Sequence, residues 1–245
     1  MKFKKLITMF ENGNVSVYGL RGRGKDMLFA NVIARRRRPY VSNTTYVPFL
    51  HTELDFNKLD CHNTYDNFIK GNINKYEYPY DMGADIYISD CGVILPSQYC
   101  NELNRKYPYI PVFMALSRQL GKCNVHTNTQ ALNRTWDKLR EQSDKYICCK
   151  ACFVLFGLVF QKVIIYEKYE SAEKNVPPLK IKVPFNKHDR VLVEQEKRSY
   201  LIQYGNIKTG WLVYKNKSKF NTTHFKQLLE NGYEDSGGEL YERKL

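Results

Sequence analysis

The residues best suited to chemistry lie between Val15 and Ala34, VSVYGLRGRGKDMLFANVIA, where a short apolar run breaks into a glycine-rich loop and then a helical pattern. Gly19, Gly24 and Lys25 follow the spacing G-x-x-x-x-G-K, with Gly22 inside the loop. In such a loop the backbone N–H groups of Gly19, Leu20, Arg21, Gly22, Arg23 and Gly24 can wrap phosphate oxygens, and Lys25 reaches the outer phosphates. The helix that follows points its N-terminus at the same anion. Asp26 stands where a Ser or Thr hydroxyl normally meets Mg²⁺. A carboxylate there can bind the metal but adds negative charge beside a triphosphate, so the site is expected to hold nucleotide more weakly or to depend more on Mg²⁺.

A second chemical stretch is ADIYISDCGVI, Ala84 to Ile94. It reads as a short strand, Asp85 to Ser89, ending at Asp90, and a carboxylate at such a strand tip is placed to hold Mg²⁺ through water. Cys91 follows, where a Glu commonly orients the attacking water; a thiol is a poor substitute as a proton acceptor. Asn124 to Thr129 reads as another core strand closing on Gln130, which faces the γ-phosphate if the sheet is parallel, because open α/β sheets bind ligands at the carboxyl ends of their strands.

These groups require a frame of strands and helices. With 245 residues, 43% hydrophobic and 14% aromatic, the chain can bury a large α/β core. Val15 to Tyr18 reads as the first strand and Lys25 onward as a helix ending in Arg35 to Arg38 before Pro39. Tyr40 to Phe49 reads as a second strand with its loop, and Leu54 to Ile69 as partly helical. Helices follow over Gln98 to Lys106 and Val112 to Leu120, and an amphipathic one over Leu132 to Ser143. Asp144 to Cys152 and Val154 to Tyr169 read as paired strands turning near Gly157.

The formal net charge of +13 favours a polyanionic partner, nucleic acid or an anionic membrane surface. Seven scattered cysteines in a chain of this size point to a reducing compartment. Cys149 and Cys152 form a lone C-x-x-C in an apolar run, which reads as buried strand thiols rather than zinc ligands. The N-terminus has no signal-peptide core, and the longest apolar run, Ala151 to Tyr166, is interrupted by Gln161 and Lys162 and too short to span a bilayer. The expectation is a soluble or peripheral protein without its own transmembrane segment.

Taken in order, GLRGRGKD, RRRRPYVSNTTY, DIYISDCG and the block FMALSRQLGKCNVHTNTQALNRTWDKLREQSDKYI resemble the zonular occludens toxin-like family, the assembly and DNA-export ATPases of filamentous phages, within the FtsK/HerA clan of P-loop motors. The match spans roughly residues 14 to 170. It implies an α/β P-loop NTPase with a mostly parallel central sheet flanked by helices. ATP and Mg²⁺ are the implied cofactors, and DNA, the phage genome, the implied partner. It further implies a homo-oligomeric ring of six subunits, with other phage assembly or membrane proteins as partners in the host cytoplasm or at the inner face of its membrane. Carried over by position, Gln130 senses the γ-phosphate or positions water, and Arg118 is the arginine reaching a neighbouring subunit's site, with Arg140 second. The sequence departs from the family at Asp26, at Cys91, at Gln119 where His often follows the Arg, and in lacking a transmembrane helix after the ATPase domain.

The sequence thus divides into an ATPase domain over 1–170 and a small, β-rich, basic extension over 171–245. Pro177-Pro178 reads as a hinge, the stretch to Asn216 as β-alternating, and His224 to Asn231 as a short amphipathic helix. Extension lysines such as Lys180, Lys208 and Lys215, interleaved with Tyr200, Tyr204, Trp211 and Tyr214, suit either a nucleic-acid strand or an ordinary solvated β appendage. Two functions follow: a DNA-moving ATPase, or a nucleotide-binding assembly factor whose site no longer hydrolyses.

Overall fold

The computed structural model describes residues 2–60, 70, 80, 83–120, 122–180, 187–217, 233–234 and 240–241. Val15–Tyr18 forms β1 with all four residues buried, as expected of a strand covered on both faces. Its one hydroxyl-bearing short side chain, Ser16, is satisfied by Thr127 and Ser143, each at 2.7 Å. Around β1 lie β2 (Tyr40–Ser42), β3 (His51–Glu53), β4 (Asp85–Ile88), β5 (Val125–Thr129), β6 (Lys145–Leu155), β7 (Leu158–Tyr166) and β8 (Lys208–Lys215). They form one sheet in the order β3-β2-β4-β5-β1-β6-β7-β8. Every pair from β3 to β6 is parallel, and β7 and β8 are added antiparallel. The acidic strand β4 is therefore separated from β1 by β5.

Helices cover both faces. On one, α1 (Phe3–Glu11) and α2 (Lys25–Arg36) pack Phe3, Leu6, Phe10, Leu28 and Phe29 against Val15, Val17, Val163 and Leu212. On the other, the helices Cys100–Lys106, Ile110–Leu120 and Asp137–Arg140 bring Leu103, Ile110, Phe113 and Leu139 onto Ile86, Ile88 and Val125. Alternate residues of β4 divide between the two cores, Tyr87 with the first and Ile86 and Ile88 with the second, as strand periodicity requires.

Several expected elements differ. Tyr40 to Phe49 is a strand only to Ser42, because the Tyr40 hydroxyl accepts the backbone N–H groups of Tyr46 and Val47, both at 2.7 Å, and folds the following loop back. Leu132 to Ser143 is two short turns, Leu132–Arg134 and Asp137–Arg140. Trp136 donates its backbone N–H to Leu95 and its indole N–H to Asn104, and Thr135 bridges Pro96, so this middle cannot wind into a helix. Within the supposed β-alternating extension, Lys187–Tyr204 is an 18-residue helix. The Val-Leu-Val alternation there is outweighed by Glu194 to Arg198, five consecutive good helix formers. The part of Leu54 to Ile69 beyond residue 60 and the helix expected over His224 to Asn231 lie outside the described residues. Within the described residues of that stretch, Phe56–Leu59 forms one helical turn.

At the amino-terminal end of the sheet, α2 is fixed to β4 by a buried ion pair. Arg36 donates to Asp85, their side chains only 5% and 6% exposed, and the other Asp85 oxygen accepts the Asn124 N–H at 3.0 Å. Removing one partner of such a pair leaves a buried charge uncompensated. Asp85→Ala is therefore expected to destabilise the fold by about 3–5 kcal/mol, read as a lowered urea midpoint; an unchanged midpoint would show that the pair contributes nothing.

Candidate nucleotide-binding site

The phosphate loop leaves the carboxyl end of β1 at Gly19 and enters α2 at Lys25. Glycine is required at its two ends by contact as well as by conformation. Gly19 has φ 145° and a Cβ on it would lie 2.4 Å from the Cys149 carbonyl oxygen; Gly24 has φ 81° and its Cβ would meet Cys152 Sγ at 2.5 Å. Gly22, at φ 76°, faces open space, so its role is conformational alone. Lys25 is buried, and its ammonium donates to the carbonyls of Gly19 at 2.8 Å and Leu20 at 3.4 Å, so it already lies across the loop.

Beneath the loop sits Gln161 of β7, fully buried. Its amide donates to the carbonyl of Gly24 at 3.0 Å and that of Arg23 at 3.3 Å, and its oxygen accepts from Tyr214 of β8 at 2.9 Å. Strands at the antiparallel edge therefore hold the loop from below. Cys149 is buried and Cys152 half-buried in the same place, so the C-x-x-C is a pair of strand thiols beneath the loop. Among the described residues no group of three or more His, Cys, Asp and Glu side chains stands together as a metal cage.

Asp26, in the first turn of α2, accepts at one oxygen from Asn128 at 2.8 Å and from Tyr46 at 3.0 Å. The oxygen of the same Asn128 amide accepts the Asp90 N–H at 2.8 Å, and Tyr46 is bonded to Ser89. One buried amide on β5 thus ties the residue after Lys25 to the tip of β4. Asp90 is exposed and takes φ 48°, a left-handed conformation an Asp tolerates, and it makes no side-chain cap to the turn it begins. Desolvation raises its carboxyl above the usual carboxylate range and the Asp26 charge adds to this, while Lys25 and Arg21 pull it down. Two carboxylates beside a lysine and a phosphate loop fit Mg²⁺, which commonly binds through one or two carboxylates together with phosphate oxygens and water.

A glycine loop delivered by a central parallel strand onto a helix, with the acidic strand one place removed, decides the fold. The chain has a P-loop NTPase fold. No family model matches the sequence, and no curated protein does. Among solved structures the chain is similar to the N-terminal domain of zonular occludens toxin from Neisseria meningitidis, at 12% identity over 87% of this chain and 97% of that one, with a TM-score of 0.44. It is also similar to the genome packaging NTPase B204 of Sulfolobus turreted icosahedral virus 2, in complex with ATP-gammaS, at 15% identity over 72% and 99% with a TM-score of 0.41. A KaiC-like protein from Pyrococcus horikoshii matches at 12% identity over 64% and 80%, TM-score 0.36.

Lys25, Asp26 and Asp90 thus lie together at the carboxyl end of the sheet. Gln130 is there too, exposed, lining a cleft of about 430 Å³ with Tyr18, Gly19, Leu20 and Arg23. Arg118 lies elsewhere. It pairs with Asp144 at 2.6 Å, and the same carboxylate oxygen accepts the Asn14 N–H at 2.8 Å, which places it by the amino-terminal end of β1, roughly 16 Å of strand from Gly19. Arg140 lies over the Tyr169 ring, 4.9 Å from its centroid. Cys91 is buried, and burial pushes its thiol up to about 12, so it faces the core as a neutral thiol.

Asn128, Tyr46 and Gln161 are not singled out by the sequence, and Tyr214, expected among the extension's nucleic-acid-contacting rings, is instead buried against Gln161. Asn128 was within reach: an Asn inside the apolar-flanked strand that ends near the phosphates needs a polar partner once buried. Tyr214→Phe, which leaves the Gln161 oxygen buried without its donor, is expected to cost about 1–3 kcal/mol and to weaken nucleotide binding. Gly24→Ala, which collides with Cys152, is expected to abolish binding altogether. Titration with a fluorescent ATP analogue checks both; wild-type affinity in Gly24→Ala would contradict the packing described for the loop.

Proposed function

We propose that this chain binds ATP with Mg²⁺ at the phosphate loop and hydrolyses it to move or package DNA in phage assembly. The observation that carries the reading is the convergence of Lys25, Asp26 and Asp90 around Asn128 at the carboxyl ends of β1, β4 and β5. A phosphate oxygen competes with two neutral carbonyls for the Lys25 ammonium, and charge-assisted hydrogen bonds are the stronger kind. Lys25 then shifts from Gly19 and Leu20 to the β- and γ-phosphates, the loop amides hold the β-phosphate, and the helix dipole of α2 favours the negative charge. Asp26 and Asp90 would hold Mg²⁺, which would supply neutralisation of charge developing on the transferred phosphoryl group. Gln130 directly follows the end of β5, at the carboxyl end of the sheet beside the phosphate loop, and is the residue we assign to orient water.

The +13 charge supports DNA as the substrate of movement, with subunits in a ring at the cytoplasmic face of the host membrane. Residues 171–245 are read as its extension, whose strand β8 completes the edge of the ATPase sheet. Arg118, as the arginine acting on a neighbour, requires the amino-terminal edge of one sheet to face the phosphate loop of the next. A second reading, nucleotide binding without turnover, has its own support: the Cys91 side chain is buried and neutral, leaving no acid directly after Asp90 to orient water.

Hydrolysis of Mg·ATP by the purified chain, with and without single- and double-stranded DNA, separates the two. DNA-stimulated turnover that falls at least about a hundredfold in Lys25→Ala, the scale at which a lost charge-stabilising contact is felt, is the expected result. Tight ATP binding with no turnover under any condition would establish the assembly-factor reading instead.

A further inference from the structure

The hairpin of β6 and β7 runs past the phosphate loop. β6 pairs with β1 only through Cys148, and Cys152 packs against Gly24, so its last residues stand about 10 Å beyond the loop. That tip is apolar and in solvent: Phe153, Val154 and Leu155 are each about half exposed, and Phe156 at the turn is 94% exposed. Behind it, Phe153 stacks on Phe160 with centroids 5.0 Å apart and meets Trp211 of β8 edge-on at 5.8 Å. From Lys145 to Tyr166 and from Lys208 to Lys217 there are six lysines and no Asp or Glu. Of these, Lys150, Lys162, Lys208, Lys215 and Lys217 are exposed; Lys215 lies opposite Leu158 and Lys162 opposite Trp211, towards the tip, whereas Lys208 lies opposite Ile165 at the far end.

We infer that the β6–β7 hairpin tip is a membrane-docking element that seats its apolar residues in the headgroup region of an anionic lipid bilayer, with Lys162 and Lys215 against lipid phosphates. Successive strand residues point to opposite faces, so four consecutive exposed apolar side chains leave both faces of the tip uncovered. A nucleic-acid platform presents aromatic rings on one face of a sheet, and Val154 and Leu155 offer neither a stacking surface nor a phosphate contact. A bilayer interface surrounds a projecting tip on all sides, and its burial depth, about 5–10 Å for interfacial helices, matches the projection here. Trp211 sits one row behind, opposite Lys162, where an amphipathic ring meets the headgroup level. Anionic lipid attracts each nearby lysine. Among the described residues no helix is long and apolar enough to cross a membrane, so this contact is peripheral. It requires neither ATP binding nor turnover.

The test is partition of the full chain onto sedimenting vesicles of phosphatidylcholine with and without phosphatidylglycerol, alongside tryptophan emission. Trp136 is fully buried, so an emission shift on vesicle binding reports Trp211. Wild type is expected to prefer the anionic vesicles by at least about tenfold, with a blue shift. Phe156→Asp is expected to lose that partition by at least about tenfold while keeping its urea midpoint and ATP-analogue binding, and Lys162→Glu with Lys215→Glu to lose the preference for anionic lipid. Equal partition onto both vesicle types, or wild-type partition by Phe156→Asp, overturns the inference. So does oligothymidylate binding that needs Phe156 while vesicles are not bound.

Discussion

The close contact between the phosphate loop and the β6–β7 strand pair is the constraint on which the site depends. Gly19 lies against the Cys149 carbonyl, Gly24 against Cys152, and Gln161 clasps the loop backbone from below. Each contact exists because β6 and β7 continue beyond the end of β1 and give the loop a floor. A loop held this way keeps its amides oriented before any anion arrives, and preorganised donors cost little to use. The antiparallel edge is thus part of the phosphate site rather than an ornament on a parallel sheet, and Tyr214 extends the support to β8.

The second constraint is electrostatic. Asp26 and Asp90 are brought near one another at the end of the sheet, close enough for the Asp26 charge to help raise the Asp90 carboxyl. Asn128 manages this by giving its N–H₂ to one and its carbonyl to the backbone of the other, while Tyr46 and Ser89 complete the network. Two neighbouring carboxylates repel unless a cation lies between or beside them, and Lys25 and Arg21 offset only part of that. A divalent ion is what we propose relieves that repulsion, given the extra negative charge that Asp26 adds where a hydroxyl is usual.

Much of this was legible in the sequence because glycine, lysine and strand-end aspartate carry positional meaning. The phosphate loop, Asp90 and the parallel sheet follow from spacing and periodicity around Val15 to Asp26 and Asp85 to Asp90, and Gln130 lies at the expected strand end. What was not legible depends on contacts distant in the chain. Gln161 acts on a loop 137 residues earlier, and nothing local distinguishes it from a polar interruption of an apolar strand. Tyr46 reaches Asp26 only because Tyr40 folds its loop back. The helix Lys187–Tyr204 was hidden by a short Val-Leu-Val alternation.

Asp26 and Asp90, coupled through Asn128, are expected to make phosphate binding at this loop dependent on a divalent cation. Calorimetric titration of the protein with ATPγS, in Mg²⁺ and in chelator, addresses it most directly. Affinity is expected to rise at least about tenfold with Mg²⁺, and the dependence to shrink in Asp26→Asn, where one repelling charge is gone. Equal or tighter binding in chelator would contradict it.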